Sequence, residues 1–196
     1  MEKEQIAVFD FDGTLTTKDS FIEFIRFSKG DACFVTGLLL QSPFLVAFKL
    51  GLYPNWKAKQ RLFSYFFKGM SYEAFCRYGI AFASRVESML RKDVVERMQR
   101  CLSDGHRVFV ITASIEEWVR PWCELHGVTS VLSTRAEVVD GVMTGRFSTP
   151  NCYGEEKLRR FLEVAPDRSS YVLTAYGDSR GDEALFRFAD VATRIR

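Results

Sequence analysis

The chain has few of the residues that build soft-metal or disulfide sites. It contains two histidines and five cysteines among 196 residues. The histidines, His106 and His126, have no partner at ligand spacing, and no two cysteines show the CxxC spacing of a zinc or redox site. The cysteine count is odd, and the chain is long enough to bury a full core without disulfides. We therefore expect reduced thiols and a cytoplasmic protein.

The sequence also lacks a strong net charge, a low-complexity tract and an internal repeat. Its formal net charge is +2, with 47% apolar and 27% charged residues, which is typical of a globular protein. Nothing in the overall charge indicates a nucleic-acid partner, so we expect none. Residues 1–5 are polar and run directly into an apolar stretch, so we expect no signal peptide.

Long apolar runs are scarce, with the exception of residues 32–53. This segment is near the length of a membrane span, but Gln41, Ser42, Pro43, Lys49 and two glycines interrupt it. Three interpretations stay open: a membrane span, helices buried inside a cap, and an interfacial surface that faces lipid. The interruptions favour buried helices.

Positive charge is concentrated in one part of the chain. Residues 49–107 contain twelve lysines and arginines against five aspartates and glutamates. A solvated helical face explains this excess without any ligand. The alternative is a surface that meets an anionic substrate or an anionic membrane.

Apolar and polar periodicity predicts strands that alternate with helices. Short apolar runs at 6–11, 107–112, 128–132 and 170–175 are typical of buried parallel strands, and a further strand is predicted at 191–195. Helices are predicted at about 115–126, 155–164 and 182–188. Residues 136–147 alternate around Asp140-Gly141, which predicts a hairpin. This alternation predicts an α/β fold with a doubly wound parallel sheet.

About 80 residues with helical periodicity separate the first two predicted strands. Connections inside a compact domain are rarely that long unless they form a unit of their own. We therefore predict a catalytic core made of residues 1–16 and 96–196. Residues 17–95 are predicted to form an inserted α-helical cap over the sheet.

Distinctive polar side chains fall at the predicted carboxyl ends of the strands or just beyond them. In open parallel sheets the ligand binds at this edge, beside the point where the strand order reverses. The topology therefore predicts that these side chains share one site. They are Asp10, Asp12, Thr112, Lys157, Asp178 and Asp182.

Each of these groups suits one requirement of phosphoryl transfer. Asp10 can attack phosphorus to give an aspartyl-phosphate, and Asp12 can protonate the leaving alcohol and then take a proton from water. Mg²⁺ prefers oxygen ligands and keeps several waters, so Asp10, Asp178 and one backbone carbonyl would suffice. Thr112 and Lys157 would hold the transferring phosphoryl oxygens and neutralise developing charge.

Four motifs follow one another at these positions. They are DxDGT at residues 10–14, an apolar strand ending in threonine at 108–112, a lysine in a GxxK setting at 154–157, and GDSxxD at 177–182. In this order and spacing they resemble the haloacid dehalogenase (HAD) superfamily, in its phosphatase branch and its phosphoserine-phosphatase-like subfamily. The resemblance covers essentially the whole chain and implies a Rossmann-like core with an inserted helical cap.

The resemblance also implies roles for individual residues. Asp10 is then the nucleophile, Asp12 the acid and base whose carbonyl contacts Mg²⁺, and Asp178 a metal ligand. Asp182 supports the site through hydrogen bonds to water or lysine. The aspartate at position 12 favours a phosphatase or phosphomutase over the dehalogenase and ATPase branches of the superfamily.

The chain departs from the phosphoserine phosphatases at two places. They carry glutamate where this chain has Asp19, and their second motif reads Ser-Gly-Gly where this chain has Thr112-Ala113-Ser114. We expect Asp19, Thr14 and Ala113 to contact the substrate, although Asp19 is equally suited to cap a helix. Ser114 and Ser179 are expected to cap helices or lend backbone amides.

The cap and the departures bear on the substrate. The apolar and basic cap resembles a group of relatives that includes bacterial phosphatidylglycerophosphate phosphatases. We therefore expect a Mg²⁺-dependent phosphomonoesterase acting on a lipid or amphiphilic phosphate, in peripheral contact with an anionic membrane through the cap. The alternatives are a soluble phosphatase with a phosphoserine-like substrate, a phosphotransferase or phosphomutase, and a regulatory protein that binds phosphate without turnover.

Overall fold

A parallel β-sheet forms the centre of the fold. The computed structural model describes residues 3–196. Residues 1 and 2 belong to the polar segment from which we expected no signal peptide, and they lie outside the described residues. The strands are β1 (Glu4–Phe9), β2 (Arg107–Ile115), β3 (Ser130–Thr134), β4 (Ala136–Val139), β5 (Val142–Phe147), β6 (Tyr171–Gly177) and β7 (Val191–Arg194). Five of them pair in parallel in the order β3-β2-β1-β6-β7.

Eight α-helices surround this sheet in the described part of the chain. They are α1 (Ser20–Lys29), α2 (Asp31–Lys49), α3 (Asn55–Phe67), α4 (Tyr72–Glu87), α5 (Lys92–Ser103), α6 (Glu116–Leu125), α7 (Glu155–Val164) and α8 (Glu183–Phe188). The predicted α/β class with a doubly wound parallel sheet is confirmed.

Both faces of the sheet are buried, which explains why its strands read as continuous apolar runs. Side chains alternate along a strand, so Ala7 and Phe9 join the apolar cluster on one face while Ile6 and Val8 join the cluster on the other. Helices α1 and α3 to α6 contribute to the first cluster. Helices α7 and α8 contribute to the second, which gives the layers of a doubly wound fold.

The strand order reverses beside β1. From β1 the chain builds β2 and β3 on one side and later returns to place β6 and β7 on the other. Strands β1 and β6 are therefore neighbours although they are distant in sequence, with Phe9 paired with Tyr176 at their carboxyl ends. A crevice forms outside this switch point, and ligands bind there in open α/β sheets.

The hairpin predicted at 136–147 is confirmed, because β4 and β5 pair antiparallel around Asp140 and Gly141. Both turn residues have positive φ, 50° and 74°, as a two-residue hairpin turn requires. Strand β2 is longer than predicted. Instead of ending at Thr112 it continues to Ile115, with a register shift against β3 that lets the chain bulge after Thr112.

The interpretation of residues 32–53 as buried cap helices is wrong. The segment forms one helix, α2, in which Gly37 is the only buried residue. Gly37 lies so close to the rings of Tyr65 and Phe66 on α3 that a Cβ would collide with them, so the two helices touch over a narrow strip. By length and composition, α2 is the one described helix that could cross a membrane. Of its most apolar 18-residue stretch, 6% is buried.

The helices inserted between β1 and β2 share their core with the sheet. Helix α4 packs tightly on α6 at Gly79, and the β4–β5 hairpin packs on α3. The boundary predicted at residue 95 falls inside α5, which packs on β1 and β2. The division into a core of residues 1–16 and 96–196 and a cap of residues 17–95 stays a prediction.

Candidate active site

Asp10 lies at the carboxyl end of β1, where a wide turn, Phe11–Leu15, begins. Its backbone N–H donates to the carbonyl of Tyr176 at 2.9 Å, which continues the pairing of β1 with β6. Gly13, with φ of 78°, faces the carboxylate of Asp178, and a Cβ at this position would collide with it. Glycine is therefore required both by the backbone conformation and by the close approach of Asp178.

Lys157, on the first turn of α7, joins two of the predicted carboxylates. Its Nζ lies 2.8 Å from Oδ1 of Asp10 and 2.6 Å from Oδ1 of Asp182, and its side chain is 2% exposed. Burial lowers the pKa of Lys157, but the two carboxylates outweigh it and hold that pKa above its usual value. Lys157 is therefore a permanent positive charge beside Asp10.

Asp182 holds Lys157 in place from behind. Its Oδ2 accepts hydrogen bonds from the backbone N–H of Ser179 at 3.0 Å and from the Ser179 hydroxyl at 3.1 Å. Because Oδ1 already accepts from Lys157, both of its oxygens are occupied.

Asp10 and Asp178 present carboxylate oxygens that are less fully occupied. The carboxylate of Asp10 is engaged through Oδ1, which accepts a hydrogen bond from Phe11 N–H at 2.8 Å and forms the ion pair with Lys157. Among the described residues no hydrogen bond or ion pair is found for its Oδ2, which is left for other chemistry. Oδ1 of Asp178 is buried and has no hydrogen-bond partner among the described residues. Burial raises the pKa of Asp178, and it raises that of Asp10 to about 7 although Lys157 opposes the shift.

These oxygens fit a cation. Asp10, Asp178 and Asp182 each offer a carboxylate oxygen, and the three atoms lie within 4.8 Å of one another. An unpartnered buried carboxylate oxygen costs free energy unless a ligand satisfies it. A hard divalent cation with oxygen ligands, such as Mg²⁺, matches this set of donors.

Asp12 is held by hydrogen bonds on both oxygens. Oδ1 accepts from the backbone N–H of Ser20 at 2.6 Å, and Oδ2 accepts from the hydroxyl of Ser114 in a short hydrogen bond. Burial is the main cause that raises the pKa of Asp12 to about 6, and the charge of Asp19 adds to it, while Ser114 and Ser20 lower it. Asp12 can therefore give and take a proton near neutral pH.

The bulge that follows Thr112 arranges polar groups beside the aspartates. The Thr112 hydroxyl oxygen accepts from the backbone N–H of Ser114 at 3.0 Å, so its hydrogen is available to donate to an anion. The carbonyl of Ala113 accepts from Nζ of Lys59 at 2.8 Å and from the Thr134 hydroxyl at 2.9 Å.

A cavity of about 330 Å³ connects these groups. Of the residues predicted from the sequence, it is lined by Asp10, Asp12, Asp19, Thr112, Ala113, Lys157 and Asp178. The structure does not place Thr14 or Asp182 on its wall. Thr14 is buried in the turn, and its hydroxyl has no hydrogen-bond partner within residues 3–196. Asp182 lies behind Lys157.

Asp19 caps a helix and also lines the catalytic cavity, so both roles considered for it from the sequence stay possible. It caps α1, with its carboxylate accepting from the N–H of Ile22 at 3.1 Å, and it lines the mouth of the cavity. Capping uses one oxygen and leaves the other free to meet a ligand.

Sequence reasoning missed Lys59. It stands on α3 between Ala58 and Leu62, which are both buried, and reaches the cavity over the ring of Phe21. Burial lowers the pKa of Lys59, whereas the nearby aspartates, Asp12 first among them, raise it. A lysine on the apolar face of an amphipathic helix was the available signal, because such a position is costly unless the charge has a partner.

A parallel α/β sheet carries buried aspartates and a buried lysine at its switch point, and the family match identifies the chain as a hydrolase. The chain belongs to the haloacid dehalogenase-like hydrolase family, whose model matches residues 7–187. The resemblance predicted from the four motifs is thereby confirmed.

Similar proteins of known sequence support this assignment. Protein CicA of Caulobacter vibrioides is 32% identical over 188 residues, covering 94% of this chain and 83% of that protein. A phosphoserine phosphatase of Mycobacterium tuberculosis is also 32% identical, but over 102 residues that cover 51% of this chain and 33% of that protein.

Solved structures share the fold. A protein of unknown function from Bordetella pertussis superimposes with a TM-score of 0.84 at 19% identity, covering 98% of this chain and 90% of that one. A phosphoserine phosphatase in the form of a phospho-aspartyl intermediate analogue superimposes with a TM-score of 0.67 at 19% identity, covering 98% and 87%.

Proposed function

We propose that the protein hydrolyses phosphomonoesters with Mg²⁺, through an aspartyl-phosphate formed on Asp10. The observation that carries this proposal is the buried Asp10 carboxylate, which pairs with Lys157 through Oδ1 and has a carboxylate oxygen within 4.8 Å of one of Asp178. A phosphate monoester repels an anionic nucleophile, so positive charge must lie beside the attacking carboxylate. Lys157 supplies one such charge.

In the first half of the reaction, Oδ2 of Asp10 forms a bond to phosphorus while the bond between phosphorus and the leaving oxygen breaks. Asp12, protonated at the start, gives its proton to that oxygen, and the alcohol leaves. Lys157 and the Thr112 hydroxyl donate to the phosphoryl oxygens and stabilise the charge that develops on them.

In the second half, a water molecule attacks phosphorus and gives its proton to the Asp12 carboxylate. The bond between phosphorus and Asp10 then breaks, which releases inorganic phosphate and restores both aspartates. One group thus serves first as acid and then as base, and a pKa near 6 for Asp12 suits both roles.

Asp10, Asp178 and the backbone carbonyl of Asp12 are the ligands that we assign to Mg²⁺. The metal would offset the negative charge of the phosphoryl group and of the carboxylates around it. Asp182 supports the site from behind through Lys157, which also explains why it belongs to the acidic cluster without being assigned as a ligand.

We propose that the substrate is amphiphilic, with a lipid phosphate as the leading class. Phe21, Leu45, Phe48 and Leu62 line the mouth of the catalytic cavity, and two of them belong to the exposed apolar helix α2. Such a mouth favours a leaving group with an apolar portion. We assign the contacts beyond the phosphate to Asp19, Ala113 and Lys59, whereas Thr14 shapes the turn that carries Asp10.

This proposal includes a location and a role for the inserted helices. We place the enzyme in the cytoplasm, in peripheral contact with a membrane, with residues 17–95 as the cap that selects the substrate. All five cysteines are free, as expected of a reducing compartment.

Phosphotransfer to an acceptor other than water is the second candidate, since the first half-reaction is shared. A soluble phosphatase that takes a phosphoserine-like substrate is the third, because Asp19 and Lys59 could meet its amine and carboxylate. A phosphate-binding protein without turnover is disfavoured by the presence of Asp10, Asp12 and Asp178 in one cavity.

The test is a phosphate-release assay with an aryl phosphate, followed by a screen of soluble and lipid monoesters. The wild type should release phosphate with Mg²⁺ and stop with EDTA, and Asp10→Asn should abolish release. Normal turnover by Asp10→Asn, or in EDTA, would overturn the proposed mechanism. Faster turnover of phosphoserine than of every lipid monoester would overturn the proposed substrate class.

A further inference from the structure

A cavity larger than the catalytic one lies outside the catalytic site. It is an open groove of about 910 Å³ between α3 and the β4–β5 hairpin, which we call the basic groove. Its cationic lining consists of Lys57, Arg61, Lys68 and Arg146. Lys57 and Arg61 lie one turn apart and share one face of α3, and Lys68 follows directly after the helix.

The groove contains one carboxylate, and it is already engaged. Oε2 of Glu137 accepts from the hydroxyl of Thr144 at 2.6 Å. The surrounding sequence adds no further acid, because residues 32–72 contain five lysines and arginines and no aspartate or glutamate. The groove is therefore strongly electropositive.

Helix α2 borders this groove with an apolar surface that has no partner in the described chain. Val35, Leu39 and Val46 recur at helical spacing on α2, and Leu50 follows directly after the helix; each is at least 52% exposed. On its other side α2 contacts the groove, since Gln41 lines it and accepts from Arg61, whose guanidinium stacks on Phe44. An apolar stripe and a cationic groove thus meet along one helix.

We infer that the basic groove binds the headgroups of anionic phospholipids and that, together with the stripe of α2, it docks the enzyme on an anionic bilayer. An apolar helix face beside lysines and arginines is the combination that binds anionic membrane surfaces. The inference rests on the proposed function, because docking would serve to bring the catalytic mouth to the membrane. Leu45 and Phe48 of the same helix line that mouth.

The test is co-sedimentation with vesicles of phosphatidylcholine alone or of phosphatidylcholine mixed with phosphatidylglycerol. The wild type should pellet with the mixed vesicles at low salt and be released by high salt. Arg61→Gln combined with Lys68→Gln should weaken this binding roughly thirty-fold, from about 1 kcal/mol for each basic residue near the surface. Leu39→Ser combined with Val46→Ser should weaken it as well.

The matched control is Lys92→Gln combined with Arg100→Gln, which removes the same charge from exposed positions on α5. If this control lost as much vesicle binding as the groove variant, net charge and not the groove would explain the binding, and the inference would be wrong. Absence of vesicle binding by the wild type would also overturn the inference. Hydrolysis of a soluble aryl phosphate should stay unchanged in all three variants. If the wild type did not hydrolyse the aryl phosphate, the proposed function would be overturned. The vesicle experiment would still test membrane binding by the groove.

A second inference comes from a different set of contacts, in the buried surroundings of Asp12. Nε1 of Trp118 lies 3.1 Å from Oγ of Ser20, which lies 3.0 Å from Oγ of Ser114, which bonds to Oδ2 of Asp12. Trp118, Ser20 and Ser114 are each fully buried. The four residues come from the β1 turn, the start of α1, the end of β2 and α6.

Chemistry fixes the direction of this chain of hydrogen bonds. An indole N–H can only donate, and an ionised carboxylate can only accept. When Asp12 is ionised, Ser114 must therefore donate to Asp12 and accept from Ser20, and Ser20 must accept from Trp118. We propose that Ser114 and Ser20 are positioning residues that aim the Asp12 carboxylate at the leaving oxygen.

This proposal rests on the acid role assigned to Asp12. It is tested by comparing two substrates whose leaving groups differ in their need for a proton. An alkyl leaving group needs the proton of Asp12, whereas a nitrophenolate leaves without it. Ser114→Ala should lower kcat/KM roughly ten-fold or more for an alkyl phosphate and much less for a nitrophenyl phosphate. Ser114→Thr, which keeps the hydroxyl, should restore the ratio of the two substrates.

Ser133→Ala is the matched control, because Ser133 is an equally buried serine on the neighbouring strand β3. It should leave the substrate ratio unchanged. An equal loss on both substrates in Ser114→Ala would mark a merely structural role and overturn the positioning proposal. Absence of turnover by the wild type would instead overturn the proposed function.

Discussion

At the scale of single residues, the catalytic cavity could be predicted where side chains follow strand ends. Asp10, Thr112 and Asp178 lie together because the carboxyl ends of β1, β2 and β6 meet at one edge. Lys59 could not be placed in this way. Its position depends on how α3 lies over the sheet, and no local pattern records that geometry.

Gly13 provides a residue-scale prediction. Gly13→Ala adds a Cβ that collides with the Asp178 carboxylate and strains a backbone with φ of 78°. Activity should fall roughly a hundred-fold, because displacement of a reacting group by about 1 Å costs that much. Phosphate-release kinetics measure the loss.

The control for backbone strain is Gly105→Ala. Gly105 has the same φ of 78°, and a Cβ there meets nothing within 4 Å. Its activity should stay near that of the wild type. A similar loss in both variants would mean that strain, not contact with Asp178, explains the effect.

Glu156 provides a prediction about pH. Hydrogen bonds to Arg159 and Arg160 hold its pKa down at about 2. A depressed carboxyl pKa stabilises the fold fully above its unfolded value, near 4.5, and that stabilisation disappears as the pH falls toward 2. Glu156→Gln should therefore lower the melting temperature at pH 7 by about 2–4 °C, for roughly 1 kcal/mol, and by less at pH 3.

Glu155→Gln is the matched comparison on the same helix turn. Glu155 pairs with Arg187 on the exposed surface, where an ion pair adds little. Thermal melts at both pH values distinguish the two variants. A deficit for Glu156→Gln that is the same at pH 3 and pH 7 would contradict the assigned role of its charge.

At the scale of elements, strands were easier to predict than the surroundings of helices. The apolar runs of β1 and β6 are explained by burial on both faces. For α2, composition alone could not decide between a buried and an exposed helix, because an apolar sequence satisfies either. The structure decides between the two, because Gly37 is the only residue of α2 that is buried.

The packing of α4 on α6 can be tested at Gly79. Alanine inside a helix normally stabilises it by about 1 kcal/mol over glycine, but a Cβ at Gly79 would collide with the backbone carbonyl of Glu117. Backbone cannot move aside as a side chain can, so Gly79→Ala should lower stability by about 1–3 kcal/mol. Urea denaturation measures the difference. Ser84→Ala, on the exposed side of α4, should cost nothing, and an increase in stability for Gly79→Ala would contradict the packing described.

At the scale of the whole molecule, the α/β class followed from the alternation of strands and helices, and the HAD family followed from the order of the motifs. What the order could not show is how the inserted helices meet the sheet. They share one apolar cluster with it, and α2 contributes to the catalytic mouth and to the basic groove. Substrate selection and membrane contact are therefore proposed for the same helix.

The central claim is that Asp10 becomes phosphorylated. Asp12→Asn should still be phosphorylated by a nitrophenyl phosphate, whose leaving group needs no proton, but it lacks the base that activates water. Acid-quenched Asp12→Asn should therefore carry a phosphoryl group on the peptide that contains Asp10, seen by mass spectrometry, and the group should be absent when Asp10 is also changed to Asn. A phosphoryl group on any other residue, or phosphate release by the double variant at the rate of the wild type, would contradict the account.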